Sequence, residues 1–206
     1  MPLGEFVLRS VCEQIKVWES EGFSGFRVAV NLSLRQFDTD LPSIIESIML
    51  ETGVSASSLA LEITEGIASK NVEQNVRMLQ ALRSLGLSIS IDDFGTGYSS
   101  LNHLASFPID SVKIDREFIE KIDSLESSRV IVESISHLAS RLGNDVIAEG
   151  VETEAQLNFL REQGCDEIQG QLVSPPLKAR DFEDWLERGG ARHLGRQRSE
   201  ELGAAL

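Results

Sequence analysis

Short runs of alternating apolar and polar residues, separated by longer stretches with helical spacing, organise this chain. Six runs read as strands: residues 26–33 (FRVAVNLS), 59–65 (LALEITE), 87–93 (LSISIDD), 111–115 (SVKID), 145–149 (DVIAE) and 167–172 (EIQGQL). Between them the apolar positions recur every three or four residues. Val72, Val76 and Leu79 mark one helix ending near Gly86, and Ile131, Ile135, Leu138 and Leu142 mark a second ending at Gly143. A third opens with Thr153 and Gln156 at capping-box spacing, carries Leu157 and Leu160, and stops at Gly164. Ahead of the first strand, Val7, Val11, Ile15 and Trp18 trace one more amphipathic helix. The stripes containing Trp18 and Trp185 read as packing surfaces rather than as a stacking platform.

Strands that alternate with helices pair in parallel through right-handed crossovers. From Phe26 to Glu167 there are 141 residues over five intervals, about 28 per unit, near the spacing of an eight-fold barrel. Only six units fit, and the chain opens on a helix. The expectation is an α/β fold, a (β/α)8 TIM-type barrel lacking its first two strands. It would occupy residues 1–188, followed by a polar, Gly-punctuated tail over 189–206. An open doubly wound sheet is the alternative, although the Gly-rich phosphate turn that such sheets place after the first strand is absent.

Composition narrows the function classes. Hydrophobic residues at 41% and charged residues at 25% are globular values. Nineteen basic against 33 acidic residues give a net charge of −14, which argues against a nucleic-acid polymer or an anionic membrane surface as partner. A small anionic ligand remains open if cations reverse the sign locally. Cys12 and Cys165 stand far apart without a nearby histidine, so neither a disulfide framework nor a zinc site is expected. No apolar run approaches a membrane span and no signal peptide is evident, making the cytoplasm the expected location.

Nearly every strand ends in an oxygen-bearing or charged side chain, and barrel sites occupy that end. Strand alternation places Leu59, Leu61 and Ile63 under helices and turns Glu62 to the other face. The same reading gives an inward set of Asn31, Glu62, Asp92, Lys113, Asp115 and Glu149. Converging carboxylates raise one another's pKa unless counter-charge is supplied. One lysine is too little, so the pattern points to Mg²⁺ or Mn²⁺ with oxygen ligands. Asp92 and Asp93, being adjacent, could bridge or divide between two ions, an arrangement suited to water attack on a phosphodiester. Any one of these polar strand-end residues has a bland reading too: Ser33, Thr64 or Asp93 as a helix N-cap, Lys113 as an edge charge, Glu149 as an ion-pair partner. In residues 91–101 (IDDFGTGYSSL), Gly95 and Gly97 describe a loop turning sharply just after two acids. His103, His137 and His193 lie in helix or tail contexts and are not expected to act.

The ordered set VNLS, LEITE, IDDFGTGYSSL, VKID, IAEGVET and GCDEIQG resembles the EAL-domain family of cyclic-di-GMP phosphodiesterases, from about residue 26 to 185. That resemblance implies hydrolysis of cyclic di-GMP to the linear dinucleotide with two Mg²⁺ or Mn²⁺ ions. By motif, Asn31, Glu62 and Asp92 would be metal ligands, Asp93 would serve the second metal, and Asp115 would lie beside it. Lys113 would orient the attacking water, and Glu149 would hold water at the metal. Glu65 would anchor the DDFGTG loop, while Glu152 and Gln169 would support site and ligand. It also implies regulatory or GGDEF-type domains in a longer parent protein.

Two departures stand out. The sequence contains no Glu-Ala-Leu motif, and Gln171 replaces the aromatic residue usual in the family; Gly66 for serine is a smaller one. Activity of these 206 residues is therefore expected to be impaired. The rival readings are a module that binds cyclic di-GMP or a protein without hydrolysis, its open sheet edges pairing as a homodimer, and an aldolase-type barrel with Lys113 as Schiff-base lysine. The surrounding acids argue against the last, because they raise the lysine pKa.

Overall fold

The computed structural model describes residues 3–38, 40–68, 72–96 and 106–190. Six strands form one parallel sheet in chain order: β1 (Val28–Leu32), β2 (Leu59–Thr64), β3 (Ser88–Phe94), β4 (Ser111–Ile114), β5 (Asp145–Glu149) and β6 (Glu167–Gln169). The six expected runs are all present. The last stops at Gln169 rather than Leu172, because Val151 N–H and Leu172 N–H leave the ladder to bond Gln169 O and Val151 O.

Eight helices are described: α1 (Leu3–Ser20), α2 (Leu41–Thr52), α3 (Glu65–Ala68), α4 (Val72–Ser84), α5 (Arg116–Ile119), α6 (Glu126–Leu142), α7 (Glu154–Glu162) and α8 (Ala179–Glu187). The Thr153–Gln156 capping box is formed at the start of α7. Helix α2 has no counterpart among the expected elements, although Leu41, Ile45 and Ile48 repeat at i, i+4 and i+7 and are its buried residues.

The two faces of the sheet differ as side-chain alternation requires. Leu59, Leu61, Ile63, Ile89, Ile91, Val112, Ile114, Val146 and Ala148 are buried beneath the helices, where they meet Ile15, Ile45, Leu79, Val132 and Leu160. The opposite face carries the polar series. On the edge strands this face is exposed at Ala29, Asn31, Glu167 and Gln169, but on the central strands it is buried at Glu62, Ser90, Ser111 and Lys113. Burial of a polar face in mid-sheet follows from curling: the sheet wraps around that face as an open part of a barrel, with β1 and β6 as its edges.

The two tryptophan stripes pack against each other. Trp18 of α1 meets Phe182 of α8 at 5.0 Å between ring centroids and donates its indole N–H to Glu183 at 2.8 Å. Phe26 and Trp185 complete the group at 5.4 Å from Trp18 and 5.9 Å from Phe182. First and last helices are thereby joined by edge-on and tilted aromatic contacts. His103, His193, residues 97–101 of the IDDFGTGYSSL segment (Gly97 among them), and most of the tail lie outside the described residues.

Candidate functional site

Register sets the polar series on one face of the sheet, at staggered levels. Asn31 stands beside Glu62, Thr64 beside Asp92, Lys113 beside Ile147, and Glu149 beside Gln169. Lys113 is the centre. Its buried ammonium reaches Glu149 at 2.5 Å, Glu62 at 2.8 Å and Asp92 at 3.4 Å, so residues from β2, β3, β4 and β5 meet at one point. Beneath them Ser90 and Ser111 share a 2.6 Å hydroxyl–hydroxyl bond.

Strict alternation would send Asp93 under the helices, away from Asp92. The chain avoids this with a bulge. Pairing runs from Ile91 with Val112 to Phe94 with Ile114, so three steps on β3 match two on β4, and Asp93 takes φ +55°. Ile91 and Phe94 both stay buried on the helix side, while the extra residue turns Asp93 toward the site. Carboxylate oxygens of Asp92, Asp93 and Glu149 then lie within 4.8 Å of one another.

The electrostatics follow from this crowding. Burial pushes Glu149 up from the usual carboxylate range, and Asp92 and Glu62 add to the push against the pull of Lys113. Burial likewise raises Asp93, reinforced by Asp92 and Asp115. Burial alone would lower Lys113, but its hydrogen bonds to Glu149 and Glu62 outweigh that and hold it above the ordinary lysine value. A lysine held so firmly as ammonium is a poor nucleophile, which disposes of the Schiff-base reading.

Three carboxylates (Glu62, Asp92 and Glu149) thus share one ammonium, Asp93 lies against two of them, and Asp115 borders Asp93. The donors are oxygen throughout, with neither thiolate nor imidazole among them, and a hard divalent cation fits such a set. Asn31 adds an amide oxygen from the neighbouring edge strand.

The outer residues are placed as follows. Glu65, buried at the start of α3, accepts the Gly95 N–H at 3.1 Å. A Cβ on Gly95 would stand 3.1 Å from both Ile135 and Phe118, and its φ of +96° suits glycine alone, so the chain leaving Asp92 and Asp93 is pinned from two sides. Asp115 is the N-cap of α5, accepting Glu117 N–H at 2.6 Å, and still faces Asp93. Glu152 takes the Arg116 guanidinium at 2.9 Å. Gln169 and Gln171 are exposed at the open edge. Arg116 and Gly150 escaped the sequence reading, and only their neighbours in VKIDR and AEGVE could have pointed to them.

The profile of the EAL domain matches residues 1–176. The chain belongs to the EAL domain family. It is 40% identical over 185 residues to the cyclic di-GMP phosphodiesterase NbdA of Pseudomonas aeruginosa, covering 89% of this chain and 24% of NbdA. It is 38% identical over 189 residues to the cyclic di-GMP phosphodiesterase PdeR of Escherichia coli, covering 91% of this chain and 28% of PdeR. The chain therefore spans about a quarter of the length of these curated relatives. Among solved structures, the PaMucR phosphodiesterase in complex with c-di-GMP superposes with a TM-score of 0.83 at 39% identity, over 87% of this chain and 73% of that one. The six-stranded curled sheet of this EAL domain is the corresponding part of a barrel. No described helix is long and apolar enough to cross a membrane.

Proposed function

We propose that this chain supplies most of the catalytic rim of a metal-dependent phosphodiesterase that hydrolyses cyclic di-GMP to the linear dinucleotide. The observation that carries the reading is the meeting of Glu62, Asp92, Asp93 and Glu149 around Lys113 at the carboxyl ends of four consecutive strands. Asn31, Glu62, Asp92, Asp93 and Asp115 are the residues to hold two Mg²⁺ or Mn²⁺ ions. Such ions, when bound, polarise a phosphoryl oxygen and activate water.

The protein's own contributions are distinct. Lys113 places a fixed positive charge where a phosphate oxygen gains negative charge, in a water-poor setting that strengthens its effect. Glu149, raised above the usual carboxylate range and bonded to Lys113, is suited to hold a proton of the attacking water. Glu65 fixes the start of the loop after Asp93 through Gly95. Glu152, just after β5, and Gln169 of β6 support the rim and the ligand.

The 206 residues contain no Glu-Ala-Leu, and β1 and β6 leave the sheet open. Hydrolysis by these residues alone is accordingly weak, and cyclic di-GMP binding without turnover is the second reading, with pairing of open edges into a homodimer. The cytoplasm suits the nucleotide substrate, and GGDEF-type or other regulatory domains suit a longer parent.

The test is hydrolysis of cyclic di-GMP with Mn²⁺, following the linear product chromatographically, alongside calorimetry of ligand binding. Slow, Mn²⁺-dependent turnover lost in Lys113→Ala and Asp93→Asn supports the first reading. Binding without product supports the second, and no binding at micromolar nucleotide counts against both.

A further inference from the structure

The series of site residues ends where ladder pairing ends: β4 and β5 are last paired at Ile114 and Ala148. Above that level, Asp115 and Glu149 stand at the rim with no backbone bond of the ladder between their strands. The next residues on each strand, Arg116 and Gly150, make a contact of a different kind. The stem of Arg116 lies directly on the Gly150 Cα. A Cβ at position 150 would run into Arg116 Cγ and stand 2.9 Å from Arg116 Cβ and Cδ. These are atoms at the root of the side chain, which cannot swing aside as a flexible tip does. Gly150 also has φ +72°, so the close approach and the turn both require glycine.

Beyond Gly150 the chain is held by backbone. Val151 N–H bonds Gln169 O at 3.0 Å, and Glu152 N–H bonds Gln156 Oε1 at 2.7 Å. The Arg116 guanidinium then reaches Glu120 and Glu152. All three side chains are roughly half exposed, and exposed ion pairs contribute little. The weight of the contact therefore falls on the stem, which covers Gly150 and excludes alternative turns after Glu149.

We infer that Arg116 is a positioning residue that locks the end of β4 to the end of β5 through Gly150. The lock aims Glu149 and Asp115 at the same cation-binding space. The inference rests on the phosphodiesterase reading above for what the rim is for, but its own content is this steric lock.

Titration of Mn²⁺ into the intact chain, with free Mn²⁺ followed by electron paramagnetic resonance, tests it without relying on turnover. Arg116→Ala removes stem and charge and weakens Mn²⁺ binding by about tenfold, the usual size for a group that orients metal ligands. Arg116→Met keeps a stem without charge and stays within about threefold of wild type. Gly150→Ala weakens binding more in the wild-type background than in Arg116→Ala, because the second substitution clears the space that a methyl group needs.

Arg116→Ala binding Mn²⁺ as wild type does, with or without a lower melting temperature, overturns the inference. Equal losses in Arg116→Ala and Arg116→Met overturn it as well, since charge alone would then be responsible. A wild-type chain that takes up no Mn²⁺ overturns the reading of the rim itself, and the lock loses its purpose with it. Tight wild-type binding with unaffected variants removes only the lock.

Discussion

Aspartates and glutamates line both ends of this sheet, and the two ends use them in opposite ways. At the amino ends of the strands, Asp110 Oδ2 accepts the Ile89 N–H at 2.9 Å while its Oδ1 takes Arg83 at 2.8 Å. Asp166 repeats the arrangement two strands along, accepting the Val146 N–H at 2.9 Å. Each acid just before a strand thus ties off the N–H of the second residue of the preceding strand. At the carboxyl ends, Glu62, Asp92 and Glu149 meet at a single ammonium with Asp93 and Asp115 alongside, and burial, reinforced by the neighbouring acids, raises Asp93 and Glu149. One rim satisfies its charges with backbone and arginine. The other leaves them under-compensated, which is how a protein keeps a place for cations at some expense in stability.

The largest effect that would sharpen this contrast is removal of the central ammonium. Lys113→Met leaves buried carboxylates without their partner and is expected to destabilise the metal-free chain by about 3–5 kcal/mol. Urea denaturation with and without Mn²⁺ measures it, and Mn²⁺ should recover more stability in the variant than in wild type. Equal urea midpoints for variant and wild type would break the contrast from one side.

At the other rim, Asp110→Ala and Asp166→Ala each strand a backbone N–H, costing about 1–3 kcal/mol. Mn²⁺ affinity should not move. A metal-binding loss there would erase the distinction between the rims.

The hydrogen bond from Gly95 to Glu65 carries a smaller effect. Glu65→Ala should lower stability by about 1–2 kcal/mol. Faster hydrogen exchange of the Gly95 amide would report the local release, and unchanged exchange would mean that Ile135 and Phe118 hold the loop by themselves.

The smallest effect is chemical silence at the amino-end rim. Burial pushes the Cys165 thiol up to about 12, and its Sγ donates to Val146 O and Glu167 O. Thiolate is the reactive form, so alkylation at pH 8 should be negligible in the folded chain and rise only as pH approaches 12. Rapid modification at pH 8 would place Cys165 on an open surface instead.

The sequence disclosed the carboxyl-end rim better than the amino-end one. Alternation alone turned Glu62, Asp92, Lys113 and Glu149 to one face, because strand side chains follow a two-residue period wherever the ladder is regular. It failed at Asp93, where the bulge adds a residue to β3, and the position was marked instead by its adjacency to Asp92 and by the family motif. Asp110 and Asp166 left no trace in the pattern, since each bonds a strand some 20 residues earlier. Helix α8 showed only as the packing stripe at Trp185, because Phe182 finds its cover on Trp18 and Phe26 at the far end of the chain and Trp185 stacks on Phe182. Arg116 on Gly150 is equally non-local, joining residues 34 positions apart. By contrast α2 was written locally, in Leu41, Ile45 and Ile48.

The most direct measurement pairs one substitution from each rim, Asp93→Asn and Asp166→Asn, in the same Mn²⁺ titration and the same urea melt. Asp93→Asn is expected to lose Mn²⁺ binding while keeping or gaining stability without metal, because it relieves like-charge crowding. Asp166→Asn is expected to lose stability and keep its Mn²⁺ affinity. Mn²⁺ binding that survives Asp93→Asn, or that falls equally in both variants, would contradict the assignment of the carboxyl-end rim as the metal-binding catalytic site.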